Sequence, residues 1–266
     1  MQQELTDSKK DVRMHQRYKI KHQLKLKIYD ALYAFRIIDG VRTPRQPIIS
    51  VHAPKCAGTS FLRWLTTAYP STPVLTDYDT VSIDRSGESL PDGHRIVHGH
   101  FWATKYKTVK NAFRVTFLRH PVERAISHYF YWRSVPLHGN PSHDLFLREN
   151  MDILTFATLP ETEGLYRNNF FFDTDMDSFD FIGNTASLAE DVAGLERTLG
   201  VKGEMPRENT NTWNEYASEK ARLLGNSELL IKLTRALDGD IDFFESCMRR
   251  RQTIMRNVTN HMPGAV

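Results

Sequence analysis

Cysteine is nearly missing: Cys56 and Cys247 are the only two in 266 residues. Two cysteines cannot make a disulfide framework, and their spacing is not that of a zinc site, so a reducing compartment is the simplest reading. No stretch approaches the roughly eighteen apolar residues of a membrane span. Residues 1–27 are mostly polar and lack the apolar core of a signal peptide, so a cytoplasmic location is expected. Internal repeats and low-complexity tracts are missing too. The net charge is +3, and since the basic excess is confined to the N-terminal extension a nucleic-acid binder is not expected. What remains is an ordinary globular composition, 40% hydrophobic and 25% charged, in a chain long enough to bury a large core.

The small net charge hides an asymmetry. Residues 1–45 hold eleven Lys or Arg against five Asp or Glu. Within them Ile20, Leu24, Ile28, Ala31, Leu32, Phe35 and Ile38 recur at helical spacing, with Lys19, Lys21, Lys25 and Lys27 off that stripe. Residues 1–45 are therefore read as a basic amphipathic helical extension, and 46–266 as the main domain. The extension either packs on that domain with a solvated basic face, or its residues 9–45 touch an acidic polymer or a membrane surface.

Further along, strand and helix patterns alternate, which predicts an α/β domain with a central, mainly parallel sheet flanked by helices. Strands are expected at 48–53, 95–100, 114–119 and 179–183. A helix is expected over 58–68, and another from Pro121, well suited to a first helical position, to about Arg133. Ser187 and Glu190 are spaced as a capping box for a helix ending near Gly200. Residues 134–178 read as irregular with short helices, 203–214 as a loop, and the last fifty as largely helical.

Two segments carry chemistry. In the first, the strand ending at Ala53 runs into Pro54-Lys55-Cys56-Ala57-Gly58-Thr59-Ser60 and then an apolar-periodic run from Phe61. A strand, a short loop and a helix start make an anion site, because backbone amides and the helix dipole converge there. Gly58 allows close approach, Thr59 and Ser60 add hydroxyls, and Lys55 adds a mobile charge. This is not a Walker A loop, in which Lys directly precedes the Mg²⁺-binding hydroxyl. In the second segment, Arg119 ends a strand and Ser127 lies on the next helix, with Arg124 expected on the same outward face as Ser127. An Arg fork and a hydroxyl suit a second, terminal phosphate.

The two segments resemble the 5′- and 3′-phosphate motifs of sulfotransferases that use 3′-phosphoadenosine 5′-phosphosulfate (PAPS). The likeness is nearest to the membrane-type carbohydrate group of heparan sulfate 2-O- and 6-O-sulfotransferases. Residues 54–60 resemble that group's Pro-Lys-x-Gly/Ala-Gly-Thr-Ser/Thr loop, and 118–131, Leu-Arg-His-Pro-Val-Glu-Arg-Ala-Ile-Ser-His-Tyr-Phe-Tyr, its Arg-Asp/His-Pro-x-Glu-Arg-x-x-Ser-x-Tyr run. His98-Gly99-His100-Phe101 resembles the His-Gly-His segment that supplies the catalytic histidine of the 2-O group. The resemblance covers residues 47–131. It implies a P-loop-like fold and sulfuryl transfer from PAPS, as co-substrate and without a metal, to a hydroxyl of a carbohydrate or glycan.

On that resemblance, Lys55 attends the bridging oxygen of the phosphosulfate, and Cys56, Ala57, Gly58, Thr59 and Ser60 cradle the 5′-phosphate. Arg119 and Ser127 hold the 3′-phosphate. His100 is the first choice of catalytic base and His98 the second, while His52 reads as structural. Arg207 and Asn209 sit where the family contacts the nucleotide. Arg148, Arg167, Asn168, Asn169 and Phe170–Phe172 either line an acceptor cleft or, for the aromatics, belong to the core. The family's eukaryotic members are Golgi-anchored, so a Golgi lumen is expected only if this sequence is part of a longer chain. A P-loop kinase and an inactive nucleotide- or glycan-binding module are the alternatives.

Overall fold

The computed structural model describes residues 43–78, 87–206 and 215–260, with the side chains of 257–260 excepted. The basic extension before residue 43, and Arg207 and Asn209, lie outside the described residues.

Five short strands form one sheet: β1 (Ile48–Val51), β2 (Val74–Asp77), β3 (Ile96–Gly99), β4 (Phe113–Leu118) and β5 (Phe181–Asn184). Every pairing is parallel and the order is β2-β3-β1-β4-β5. Parallel sheets are covered on both faces, so their central strands are near-continuous apolar runs. β1 fits this rule, with all four residues buried.

Successive side chains still part to opposite faces. Ile49, Val51, Val97, Leu118 and Ile182 pack on one face with Tyr166, Phe170 and Phe244. Ile48, Ile96, Val115, Phe117 and Phe181 pack on the other with Phe61, Trp64 and Leu65. Helix α1 (Gly58–Ala68) covers this second face because Phe61, Trp64, Leu65 and Ala68 follow helical spacing and are all buried. Burying Phe61 and Leu65 alone stabilises the packing by about 1.5–3 kcal/mol each.

Helix α2 (Pro121–Ser134) follows β4, with Pro121 at its start. After it come α3 (Pro141–Arg148), α4 (Ile153–Ala157), a π-helical turn (Leu165–Phe170), α5 (Leu188–Leu199), α6 (Tyr216–Leu224), α7 (Ser227–Ala236) and α8 (Asp238–Asn260). Val122, Ala125, Ile126 and Phe130 of α2 pack against Leu223, Leu233 and Leu237.

From β1 the chain first builds to one side, through β2 and β3, and then crosses to the other, through β4 and β5. In open parallel sheets that switch in direction leaves a crevice at the carboxyl ends of the central strands. Lys55, His100 and Arg119 all follow those ends.

The α/β class, the parallel sheet and α1 agree with the sequence expectation; other features differ. Strand β2 was not anticipated, and β5 starts at Phe181 rather than Phe179, which ends a 3₁₀ turn. The capping box does not form: Ser187 makes no side-chain cap. Its hydroxyl donates instead to Asp191, 3.1 Å away, because that buried carboxylate is already drawn into an ion pair with Arg251. Arg124 is not on an outward face beside Ser127 but fully buried, since α2 is packed on more than one side.

Candidate functional site

The loop between β1 and α1 is shaped by two residues in a region that side chains avoid. Lys55 has φ 67° and Ala57 has φ 62°, and Cys56 between them does not share it. Each such non-glycine residue costs of order 1–3 kcal/mol, and strain of this kind gathers at ligand clamps. Left-handed residues alternating with ordinary ones curl the backbone so that successive amides face one concavity, a nest for an anion. Ala57 is also the N-cap position of α1. No side chain caps the helix there, and its first turn holds no acidic residue. The positive end of the helix dipole is left to act on whatever sits in the loop.

Gly58 is there for space. A Cβ at this position would lie 1.9 Å from His52 Nε2, so the imidazole packs flat against the bare backbone. Of the two hydroxyls, Ser60 is buried and Thr59 is exposed.

Lys55 extends from this loop with Nζ 4.0 Å from the centre of the Tyr131 ring, a cation–π seat. Burial and then the neighbouring Arg119 hold its pKa down to about 8. Two cations are thus kept close enough to repel, an arrangement that favours an anion between them. Arg119 is half-buried and its Nε stands 3.4 Å from Glu123, an exposed pair worth little on its own. Ser127 lies half-buried on α2.

Three histidines meet beside the loop. His52 stacks on His98 with ring centres 5.3 Å apart and lies 4.8 Å from His100. His98 has no exposed surface, and its Nδ1 is 2.8 Å from Ser50 Oγ. Burial, then His100, push His98 down to about 3, against a small opposing effect of the Gly58 backbone. His52 is also pushed well below the usual histidine value, by burial first and then by His100, His98 and Lys55. His100 is half-buried, just past the end of β3. Tyr78 meets it edge-on at 4.9 Å and Phe170 at 6.0 Å. Burial holds His100 down to about 4, so at neutral pH it is a free imidazole able to accept a proton.

Tyr166 was not legible as a site residue. Its hydroxyl donates to the Arg119 carbonyl at 2.8 Å and accepts from the Arg119 amide at 3.1 Å. Cys56 Sγ lies 3.1 Å from the same oxygen. Burial pushes the Cys56 thiol up, so it is protonated and donates. One phenol therefore joins the loop after β1 to the end of β4. Behind it the Asp240 carboxylate accepts from the Tyr166 and Arg167 amides, both at 3.1 Å, and stands 3.9 Å from Arg124. Arg124 donates to the Thr162 carbonyl at 2.8 Å and lies over the Tyr166 ring at 5.4 Å. No local signal in the sequence links positions 56, 119, 166 and 240.

Of the segment 134–178, Phe170 reaches His100 while Phe171 is core. Phe172 is 43% exposed, and Arg148, Arg167 and Asn168 are exposed as well. His128, between these regions, is buried and pushed well below the usual histidine value by burial and then by Arg124, Lys55 and His100.

The sequence model of the sulfotransferase family matches residues 39–137, a span that holds the loop at 54–60, His100, Arg119 and Ser127. No curated protein matches the chain. A sulfotransferase from Alicyclobacillus acidocaldarius superposes with a TM-score of 0.36 at 16% identity, covering 74% of this chain and 97% of that one. The mouse sulfotransferase SULT7A1 complexed with PAP gives a TM-score of 0.33 at 13% identity, covering 67% and 63%. These distant likenesses assign no residue a role. No helix among the described residues is long and apolar enough to cross a membrane.

Proposed function

We propose that the protein transfers a sulfuryl group from PAPS to a hydroxyl of a carbohydrate or glycan. The observation that carries this reading is the pairing of Lys55 and Arg119 at the carboxyl edge of one sheet, over a nest of backbone amides, with Lys55 held to about 8 partly by Arg119. A donor with a 5′-phosphosulfate and a 3′-phosphate needs anion sites at two separate places. The match of residues 39–137 to sulfotransferases supports the same reading.

In this reading the nest at 55–60 holds the 5′-phosphate, and Lys55 steadies the bridging oxygen as negative charge grows on it. Arg119 and Ser127 hold the 3′-phosphate. His100 takes the proton of the attacking hydroxyl, a role its neutral state suits. The sulfur–oxygen bond to the acceptor forms as the bond to the bridging oxygen breaks, leaving 3′-phosphoadenosine 5′-phosphate (PAP). His98, sealed in the core on Ser50, positions the histidine cluster rather than reaching the acceptor. The exposed rings of Tyr78, beside His100, and Tyr131, beneath Lys55, offer flat apolar surfaces to a sugar.

The test is a titration of PAP and of adenosine 5′-phosphate against the native protein and R119A, together with an acceptor screen using labelled PAPS. PAP should bind the native protein more tightly, and R119A should lose that preference. Equal losses for the two ligands would sink the assignment of Arg119, and no labelled product from any hydroxyl acceptor would sink the activity.

A further inference from the structure

Away from the donor site, the turn that leads into α3 gathers three metal-type donors. His138, His143 and Asp144 each offer one donor atom, and all three atoms lie within 4.8 Å of one another. His143 is 1% exposed. Its Nε2 lies 3.0 Å from the carbonyl of Trp132 at the end of α2. A carbonyl can only accept, so Nε2 donates to it and Nδ1 is the ring nitrogen left over. Nδ1 has no hydrogen-bond partner and faces Asp144 Oδ1 at 3.6 Å, too far for a hydrogen bond. The orphaned Nδ1 of a buried ring and a carboxylate oxygen thus face one gap, as two ligands of one cation would.

The surroundings are those that metal ligands keep. A ligating imidazole commonly donates its other N–H to a backbone carbonyl, and a ligating carboxylate is itself hydrogen-bonded. Here the Trp132 carbonyl fixes His143. The His138 and Gly139 amides fix the two oxygens of Asp144 at 3.1 and 3.0 Å, leaving each oxygen a further lone pair. Around a tetrahedral zinc ion with bonds of ~2.0–2.1 Å, donor atoms sit about 3.4 Å apart. The His143–Asp144 separation already fits, and the half-buried His138 ring, its centre 4.5 Å from that of His143, has its donor atom within the same 4.8 Å. Two imidazoles and one carboxylate suit zinc or cobalt, whereas magnesium and calcium prefer oxygen ligands.

We propose that His138, His143 and Asp144 bind one divalent transition-metal ion of the zinc type, completed by water, which ties residues 138–144 to the end of α2. The proposal does not rest on sulfuryl transfer and can stand or fall apart from it.

The full chain, purified without a histidine tag and stripped with a chelator, would be titrated with Co²⁺ and followed by visible absorption, and with Zn²⁺ by calorimetry. One equivalent per chain should bind at micromolar concentration or tighter. The cobalt bands should be those of a four- or five-coordinate ion, and the thermal midpoint should rise on loading. D144N and H138A should each weaken binding at least tenfold. H143A should do the same, but it opens a hole beneath Trp132, so the first two variants carry the test. The proposal is overturned if the stripped protein binds no Co²⁺ or Zn²⁺ at these concentrations. Unchanged stoichiometry and affinity in D144N and H138A would equally overturn it, by putting the metal elsewhere.

Discussion

The Tyr166 hydroxyl and the Arg119 backbone exchange two hydrogen bonds, donating to its carbonyl at 2.8 Å and accepting from its amide at 3.1 Å. The same oxygen takes the Cys56 thiol, so the ends of β1 and β4 are held through one atom. Y166F keeps the ring and removes this joint, stranding a buried amide. It should lower stability by about 1–3 kcal/mol and weaken PAP severalfold. Urea unfolding and PAP titration check this; unchanged PAP affinity would remove Tyr166 from the positioning of the site.

On the proposed reading, Lys55 ties donor affinity to pH. Its folded value is lowered, to about 8, and a bound anion favours its charged form. PAP affinity should therefore be flat below pH 8 and fall by up to tenfold per pH unit above it, until the pKa of the bound state is passed. In K55R the fall should vanish, because guanidinium keeps its charge. Binding isotherms from pH 6.5 to 9.5 decide this, and an identical fall in both proteins would mean that another group titrates.

His100 should show itself at the acid end of the rate profile. Since it is held to about 4, it stays neutral and active as pH falls, and is lost only on passing that value. The acid limb of kcat/KM should lie well below the ordinary histidine pKa of about 6.5. H100A should reduce kcat by roughly 10²–10⁴-fold and leave PAP affinity within a few-fold. Near-normal turnover in H100A refutes the assignment.

Arg124 and Asp240 are both fully buried, 3.9 Å apart. Removing one partner abandons a charge in the core, so R124A should cost about 3–5 kcal/mol. Replacing both by apolar residues, as in R124M/D240L, should cost less than R124A alone. Chemical denaturation of the three proteins tests this, and a double variant less stable than R124A would contradict it.

Local features were legible in the sequence. The Ile48–Val51 strand, the loop at 54–58 and α1 follow from an apolar run, a glycine and a helical stripe, all within twenty-one residues. β2 carries no such mark: Val-Leu-Thr-Asp is half-buried throughout, with neither alternation nor a wholly apolar run. The Tyr166 joint was hidden for another reason. Its partners are 47 and 110 residues away, and pairing at that range depends on how layers stack. Arg124 misled because helical spacing tells which residues share a face but not how many faces are covered. The fold of Lys55 and Ala57 into left-handed backbone was likewise invisible, since neither residue type favours it.

The strand order has one more consequence. β1 lies between β3 and β4, and neighbouring strands are about 4.8 Å apart. At the level of Val51, Gly99 of β3 and Thr116 of β4 are thus separated by two inter-strand steps, about 10 Å, with His100 one residue and Arg119 three residues further on. On the proposed reading that span is a ruler made of backbone between the acceptor's proton and the 3′-phosphate, so side-chain substitutions could adjust the cleft's grip without changing its gauge.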